Sequence, residues 1–438
     1  MKNYKVYYPN REIGVSHYPM PASKAKVISP ENIEFLKFTT NKQNQVLLYI
    51  HIPFCEKVCS FCPYNKILYD NKKVEEYLKC LYTEIEWYSK EDYVQKSVIN
   101  AIYFGGGTPN LLTTEQISNL IAFIKKKFIL NHNAEITVEG NSHKFTETKI
   151  KALKDMGVNR ISLGVQTFNT QLGQLLEVPH TCEDAIRTIK SIKDIGIEKL
   201  SIDLMYNIPN QSIASWMEDI KKAVELKIDH ITLFHLILIP QTKLFYKVQN
   251  NEMIVHDLDG ELEMYEKAMN YLLKAGYHQE STYDFALENK GSVYGIKHFK
   301  DHNDILGLGL GSFGEINNYC YINDGKFDNY ISTIQSGKLP ILLQDHVNDD
   351  EKINALMSMG LRMLEVDLKS CEVNVFSQFA EQIMVLAQNK LIEITDGKIR
   401  LTTTGKLWGN NICKEFYSDK YKQKLPSWKR MEELAKIK

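Results

Sequence analysis

What most constrains this chain is a repeated alternation of apolar strand and helix. Strands are expected at 46–52, 98–104, 134–139, 160–165, 199–205 and 230–237. Helices are expected at about 72–89, 146–156, 181–195, 212–226 and 260–274. Another follows Thr113 and Gln116, which have capping-box spacing. There Ile117, Leu120, Ile121 and Ile124 recur at i, i+3, i+4 and i+7. Gly157 and Gly196 stand where helices should stop. Strands apolar on both faces argue a parallel sheet covered by helices. A doubly wound sheet and a partial barrel both satisfy this pattern. In either, functional residues belong at the carboxyl ends of strands.

The first strand leads into Pro53-Phe54-Cys55-Glu56-Lys57-Val58-Cys59-Ser60-Phe61-Cys62-Pro63-Tyr64-Asn65. Three cysteines at C-x3-C-x2-C share one loop, with no fourth close behind. A structural zinc site wants a fourth Cys or His. A distant histidine completing a zinc knuckle, or three unrelated small apolar residues, are the plain alternatives. Three thiolates on a [4Fe–4S] cluster would leave one iron free of protein. The second strand ends in Gly105-Gly106-Gly107-Thr108-Pro109, where missing Cβ atoms let backbone approach a ligand. Glu139 ends the third strand.

Composition narrows the class. The 438 residues are 44% hydrophobic and carry a net charge of −1. That is ample for a large core, and no basic field suggests nucleic acid. Cys80, Cys182, Cys320, Cys371 and Cys413 are scattered, as buried small hydrophobes of a reducing compartment are. No apolar run approaches the length of a membrane span, and the N-terminus lacks a signal-peptide pattern. A cytoplasmic protein is expected. Residues 1–45, with four prolines, read as an N-terminal arm. Residues 46–345 read as the β/α unit with an extension, and 346–438 as a small C-terminal domain. That domain has helices at about 348–364 and 372–389, and a hairpin turned at Asp396-Gly397.

Tyr49-x-His51-Ile52-Pro53-Phe54-Cys55-x3-Cys59-x-Phe61-Cys62 resembles the radical S-adenosylmethionine (SAM) superfamily. It is most similar to the branch around oxygen-independent coproporphyrinogen III dehydrogenase. That branch includes haem chaperones, anaerobic haem-degrading methyltransferases and class C methyltransferases. The resemblance spans about residues 46–415. It implies an α/β fold: a partial (β/α)6 TIM-type barrel with a winged-helix-like α+β domain that covers the barrel mouth. It implies a [4Fe–4S] cluster on Cys55, Cys59 and Cys62, with SAM on the free iron. Reductive cleavage of SAM then yields a 5′-deoxyadenosyl radical, and the electron comes from a low-potential donor such as flavodoxin or ferredoxin.

The resemblance also implies SAM contacts. Phe61 would pack on the adenine and Tyr49 near the sulfonium. Gly105, Gly106, Gly107 and Thr108 would line the amino group, and Glu139 would supply a carboxylate. Gln166 and Asp203 match positions that contact a second SAM. Three departures stand out. Gly140-Asn141-Ser142 follow Glu139 where the dehydrogenases carry a Val-Asp-Pro type sequence. Tyr64 replaces an extra cysteine. Val178 replaces an arginine suited to propionate carboxylates. The expected reaction is therefore that of a two-SAM class C methyltransferase acting on a tetrapyrrole or similar planar substrate. The alternatives are the dehydrogenase and a haem chaperone. His235, His278, His298 and His302 are further candidates for contact with a metal or carboxylate.

Overall fold

The computed structural model describes residues 8–12, 14, 17–37, 43–64, 66–240, 242–370 and 375–422. Asn65, Cys371 and the expected start of the second C-terminal helix at 372 lie outside the described residues.

The chain runs β1 (Asn44–Ile52), β2 (Phe54–Cys55), β3 (Ile67–Leu68), α1 (Asn71–Tyr88), α2 (Asp92–Gln95), β4 (Ser97–Gly106), α3 (Thr114–Lys127) and β5 (Leu130–Gly140). Then follow α4 (Glu147–Asp155), β6 (Arg160–Gln166), α5 (Thr170–Leu175), α6 (Cys182–Ile195), β7 (Lys199–Tyr206), α7 (Ile213–Glu225) and β8 (His230–His235). Helix boundaries follow side-chain caps: Thr113 and Thr181 close capping boxes, and Gly196 ends α6 in the left-handed region at φ 80°.

Strands β1, β4, β5, β6, β7 and β8 lie side by side in that order, every pair parallel. No strand order reverses, as it would in a doubly wound sheet. The six strands form a partial barrel. β8 does not return to β1: it is followed by α8 (Lys243–Gln249) and α9 (Leu258–Lys274), and pairs antiparallel with β10 (Asp284–Ala286), which pairs with β9 (His278–Gln279). After α10 (Val293–Phe299), β11 (Asp304–Leu308) takes the other flank of β1, in parallel. From it β12 (Phe313–Ile316), β13 (Tyr319–Asn323) and, after α11 (Phe327–Gln335), β14 (Ile341–His346) extend a twelve-stranded sheet.

The C-terminal elements are α12 (Asp349–Arg362), β15 (Glu365–Asp367), α13 (Val375–Gln388), β16 (Ile392–Thr395), β17 (Lys398–Leu401), α14 (Thr403–Leu407), α15 (Gly409–Glu415) and α16 (Asp419–Lys422). The three strands form a small sheet in the order β15-β17-β16. Its hairpin turn places Asp396 at φ 56° and Gly397 at φ 76°, the two positive values a type I′ turn needs.

The described residues before β1 pack against the rest of the chain. Arg11 is buried against Glu261 of α9 at 2.9 Å, with its guanidinium over the Tyr206 and Tyr265 rings. Asn410 and Asn411 of α15 donate to the Glu12 and Asn10 carbonyls. Tyr18 stacks on Tyr417 at 4.4 Å, and the Ala25 amide donates to the Leu342 carbonyl of β14. Among the described residues, no helix is long and apolar enough to cross a membrane.

Candidate functional site

The carboxyl ends of the barrel strands converge on the cysteine loop. Backbone bonds close the loop at its base: Ile67 N donates to Pro53 O and Tyr69 N to Cys55 O, both at 2.9 Å. Buried Ser60 pins its middle. The Ser60 amide donates to Leu176 O at 3.0 Å and its carbonyl accepts from Leu244 N at 3.1 Å. Phe61 lies half-buried against Leu172, Leu176, Met205 and Leu236. Lys66 Nζ donates to Cys62 O.

The three thiols are half-buried, and all are free. Burial, with Cys62 and Cys55 as neighbours, pushes the Cys59 thiol up to about 12. Burial also raises Cys55, opposed by a hydrogen bond from Thr108. Three thiolates in one loop therefore need compensating positive charge, which an iron–sulfur cluster supplies. Among the described residues, no group of three His, Cys, Asp or Glu side chains is arranged to hold a single metal ion. A cluster relaxes that demand, since each thiolate takes a different iron. The donor set fits such a cluster.

The glycines also serve this chain's own packing. A Cβ on Gly107 would lie 2.6 Å from Phe54 O, and one on Gly106, at φ 112°, 2.6 Å from the His51 ring. On Gly105 it would lie 2.9 Å from Glu139 Oε2. The three residues let β4 end flush against the start of the cysteine loop.

Glu139 accepts from the Tyr103 hydroxyl and the Gly106 amide, while burial raises its carboxyl. Tyr49 and Tyr103 stack beside it at 6.2 Å. Gly140, a departure from the family pattern, has a local cause: the Asn110 side chain fills the space a Cβ would need, at 2.1 Å. Asn110 there clasps the Asn141 backbone in both directions, at 2.9 and 3.1 Å.

Asp203 sits opposite Gly164 in the β6–β7 register and meets Thr232 of β8. Burial, then Glu139 and Asp284, push it up to about 8. Gln166, at φ 65°, marks a bulge at the end of β6. Sequence reasoning passed over His51. Its Nδ1 lies 3.2 Å from Tyr49 Oη, and its Nε2 is buried with no hydrogen-bond partner among the described residues. Burial lowers it to about 4. The candidate histidines do not gather. His235 is buried at the end of β8, His278 is exposed beside Glu280, and His298 faces His17 of the arm at 3.2 Å. His302 is exposed.

Comparison with known proteins decides the family. The Radical SAM superfamily model matches residues 49–223. The heme chaperone HemW of Lactococcus lactis is 31% identical over 376 residues, 85% of this chain and 97% of that protein. The chain belongs to the radical SAM superfamily. Anaerobilin synthase of Escherichia coli O157:H7 is 26% identical, over 84% of this chain and 82% of that protein. The coproporphyrinogen III oxidase (HemN) of Escherichia coli shares the fold, with a TM-score of 0.76 at 23% identity, covering 91% of this chain and 96% of that one. The radical SAM chain described here thus lies in the HemN-like branch. Membership implies a [4Fe–4S] cluster and SAM.

Proposed function

We propose that this chain is a tetrapyrrole-binding radical SAM protein of the haem-chaperone type. Cys55, Cys59 and Cys62 would each hold one iron of the cluster. What supports this is the three-thiol loop joined to the β4 turn, where Thr108 Oγ1 donates to Cys55 Sγ, together with the 31% identity to the Lactococcus heme chaperone. Cluster and SAM together supply reductive C–S cleavage and a 5′-deoxyadenosyl radical. Ser60 fixes the loop, Phe61 and Tyr49 would offer aromatic faces, and Gly105–Thr108 and Glu139 would line the site beside Tyr49. The electron enters from a low-potential donor such as flavodoxin or ferredoxin. Residues 346–370 and 375–422 would act as the cover of the mouth, and 8–12 and 17–37 as the arm that ties cover to barrel.

The Lactococcus relative supports the chaperone reading over the methyltransferase reading that the sequence favours. One observation keeps the second alive: Asp203 lies within electrostatic reach of Glu139 inside the barrel. With Gln166 it could serve a second SAM. Val178 leaves the dehydrogenase without its expected arginine.

The test is anaerobic reconstitution, then haem titration, then addition of SAM and dithionite with product analysis by mass. One haem bound per chain and recovered unchanged supports the chaperone. A methylated tetrapyrrole with S-adenosylhomocysteine replaces it with the methyltransferase. Carbon dioxide release from coproporphyrinogen replaces it with the dehydrogenase.

A further inference from the structure

The inner face of α1 carries one residue that its apolar pattern does not ask for. Val74, Tyr77, Leu81, Ile85 and Tyr88 are fully buried there, and so is Glu84. A carboxyl in an apolar stripe is costly unless donors meet its oxygens. Three donors meet this one. Gly309 N and Tyr330 Oη donate to Glu84 Oε2 at 2.9 and 2.6 Å, and Asn323 Nδ2 donates to Oε1 at 2.7 Å. Burial pushes the carboxyl up to about 7, and the three donors oppose that rise.

These partners lead from the helix to the head of the cysteine loop. Gly309 lies in the turn after β11, at φ 98°. Asn323 of β13 holds the same turn, donating to Gly309 O at 3.0 Å and to Ser312 Oγ at 3.2 Å. The next amide, Leu310 N, donates to Tyr77 Oη at 3.2 Å, and that hydroxyl donates to His51 O at 2.5 Å. A Cβ on Gly309 would collide with Tyr77 Oη and lie 2.8 Å from His51 O, so the turn is seated directly against the His51 carbonyl. The Tyr77 ring also meets Phe54 edge-on at 5.5 Å. His51 and Phe54 flank the point where the chain leaves β1 for Cys55, and Ile52 O between them accepts from Gly107 N at 2.8 Å.

We infer that Glu84 is a positioning residue for the cluster ligands: through the Gly309–Leu310 turn and the Tyr77 hydroxyl it fixes the His51 carbonyl, and with it the start of the loop that carries Cys55, Cys59 and Cys62. Both carboxylate oxygens are needed as acceptors. A glutamine accepts through one oxygen and turns its amide nitrogen on a donor, so at least one of the three bonds is lost. Tyr77 passes the position of the turn on to β1. The inference rests on the cluster reading of the three thiols and adds what holds their loop in place.

Hydrogen exchange on the apo full chain reads the loop without any cofactor. In Glu84→Gln the amides of Ile67, Tyr69 and Gly107, which close the base of the loop, should exchange about tenfold faster, as the loss of one buried hydrogen bond implies. The amides of β6 and β7 should exchange as in wild type. Tyr77→Phe, which keeps the ring and drops the hydroxyl, should do the same. The double variant should be no worse than either single one, because both act along one path. After anaerobic reconstitution, the EPR signal of the reduced cluster should broaden in both variants at equal iron content, which a loss of stability alone would not cause. Melting temperatures establish that the variants fold, and Glu84→Asp, one methylene short of the turn, replaces Glu84→Gln if the latter does not. Wild-type exchange at the loop overturns the inference, as does faster exchange spread evenly over the barrel, or additive effects in the double variant. Glu84 then merely secures α1 to the turn after β11. A wild type that takes up no iron overturns the cluster reading, and the inference with it, whatever the exchange shows.

Discussion

Thr108 Oγ1 donates to Cys55 Sγ at 3.7 Å. The same hydroxyl accepts from Asn141 Nδ2 at 3.4 Å. Three strand ends are thereby joined: the cysteine loop after β1, the turn after β4 and the turn after β5. A donor to a ligating sulfur stabilises the more negative, reduced state of a cluster. Thr108→Val should assemble a normal iron complement but shift the reduction potential downward. An EPR-monitored potentiometric titration reads this directly, and an unchanged potential would show that the hydroxyl does not reach the sulfur.

Gly106 has two reasons to be glycine, its φ of 112° and the His51 ring 2.6 Å from any Cβ. Gly106→Ala should cost about 1–3 kcal/mol through backbone strain. It should also displace His51 at the head of the cysteine loop. Urea unfolding measures the first effect. A midpoint equal to wild type would contradict the packing described for this segment.

Asp203 carries a pH signature. Its carboxyl is pushed up to about 8 in the folded chain by burial, Glu139 and Asp284, against about 3.9 unfolded. Between those values the folded state binds more protons than the unfolded state, so stability falls as pH rises through the window. Asp203→Asn removes this term. Its melting temperature should depend less steeply on pH from about 4 to about 8 than that of wild type. Parallel pH profiles would show that Asp203 is not buried as described.

The arm makes the fourth prediction. Arg11 and Glu261 form a buried pair at 2.9 Å. Removing one partner strands a charge, so Arg11→Ala should destabilise by about 3–5 kcal/mol. It should also expose the chain around Arg11 to limited proteolysis. The double change Arg11→Met with Glu261→Leu should recover much of the stability, because neither charge then remains to be desolvated. If Arg11→Ala melts like wild type, the arm is not seated between Tyr206 and Tyr265.

The barrel was legible because its strands are buried on both faces and their helices carry explicit caps. The expected strand at 160–165 is Arg160–Gln166, and that at 199–205 is Lys199–Tyr206. The hairpin turn at Asp396-Gly397 was legible because only a few residue pairs adopt two successive positive φ values. The arm was not legible. Arg11 and Glu261 are 250 residues apart, and no local periodicity reports such a contact. The extension after β10 was hidden for a related reason: β11 is a strand because it pairs with β1, far away in sequence. The glycines show the limit of motif reading. Their spacing marked the right turn, but the atoms they make room for, in His51, Phe54 and Glu139, are visible only in three dimensions.

The most direct test of the central claim is the iron content and SAM-cleaving activity of the reconstituted chain, alongside Cys55→Ala, Cys59→Ala and Cys62→Ala. Wild type should hold about four irons per chain and release 5′-deoxyadenosine from SAM under dithionite. Each single variant should lose both. A variant that keeps full iron and full 5′-deoxyadenosine release would contradict the assignment of these three thiols as the cluster's ligands.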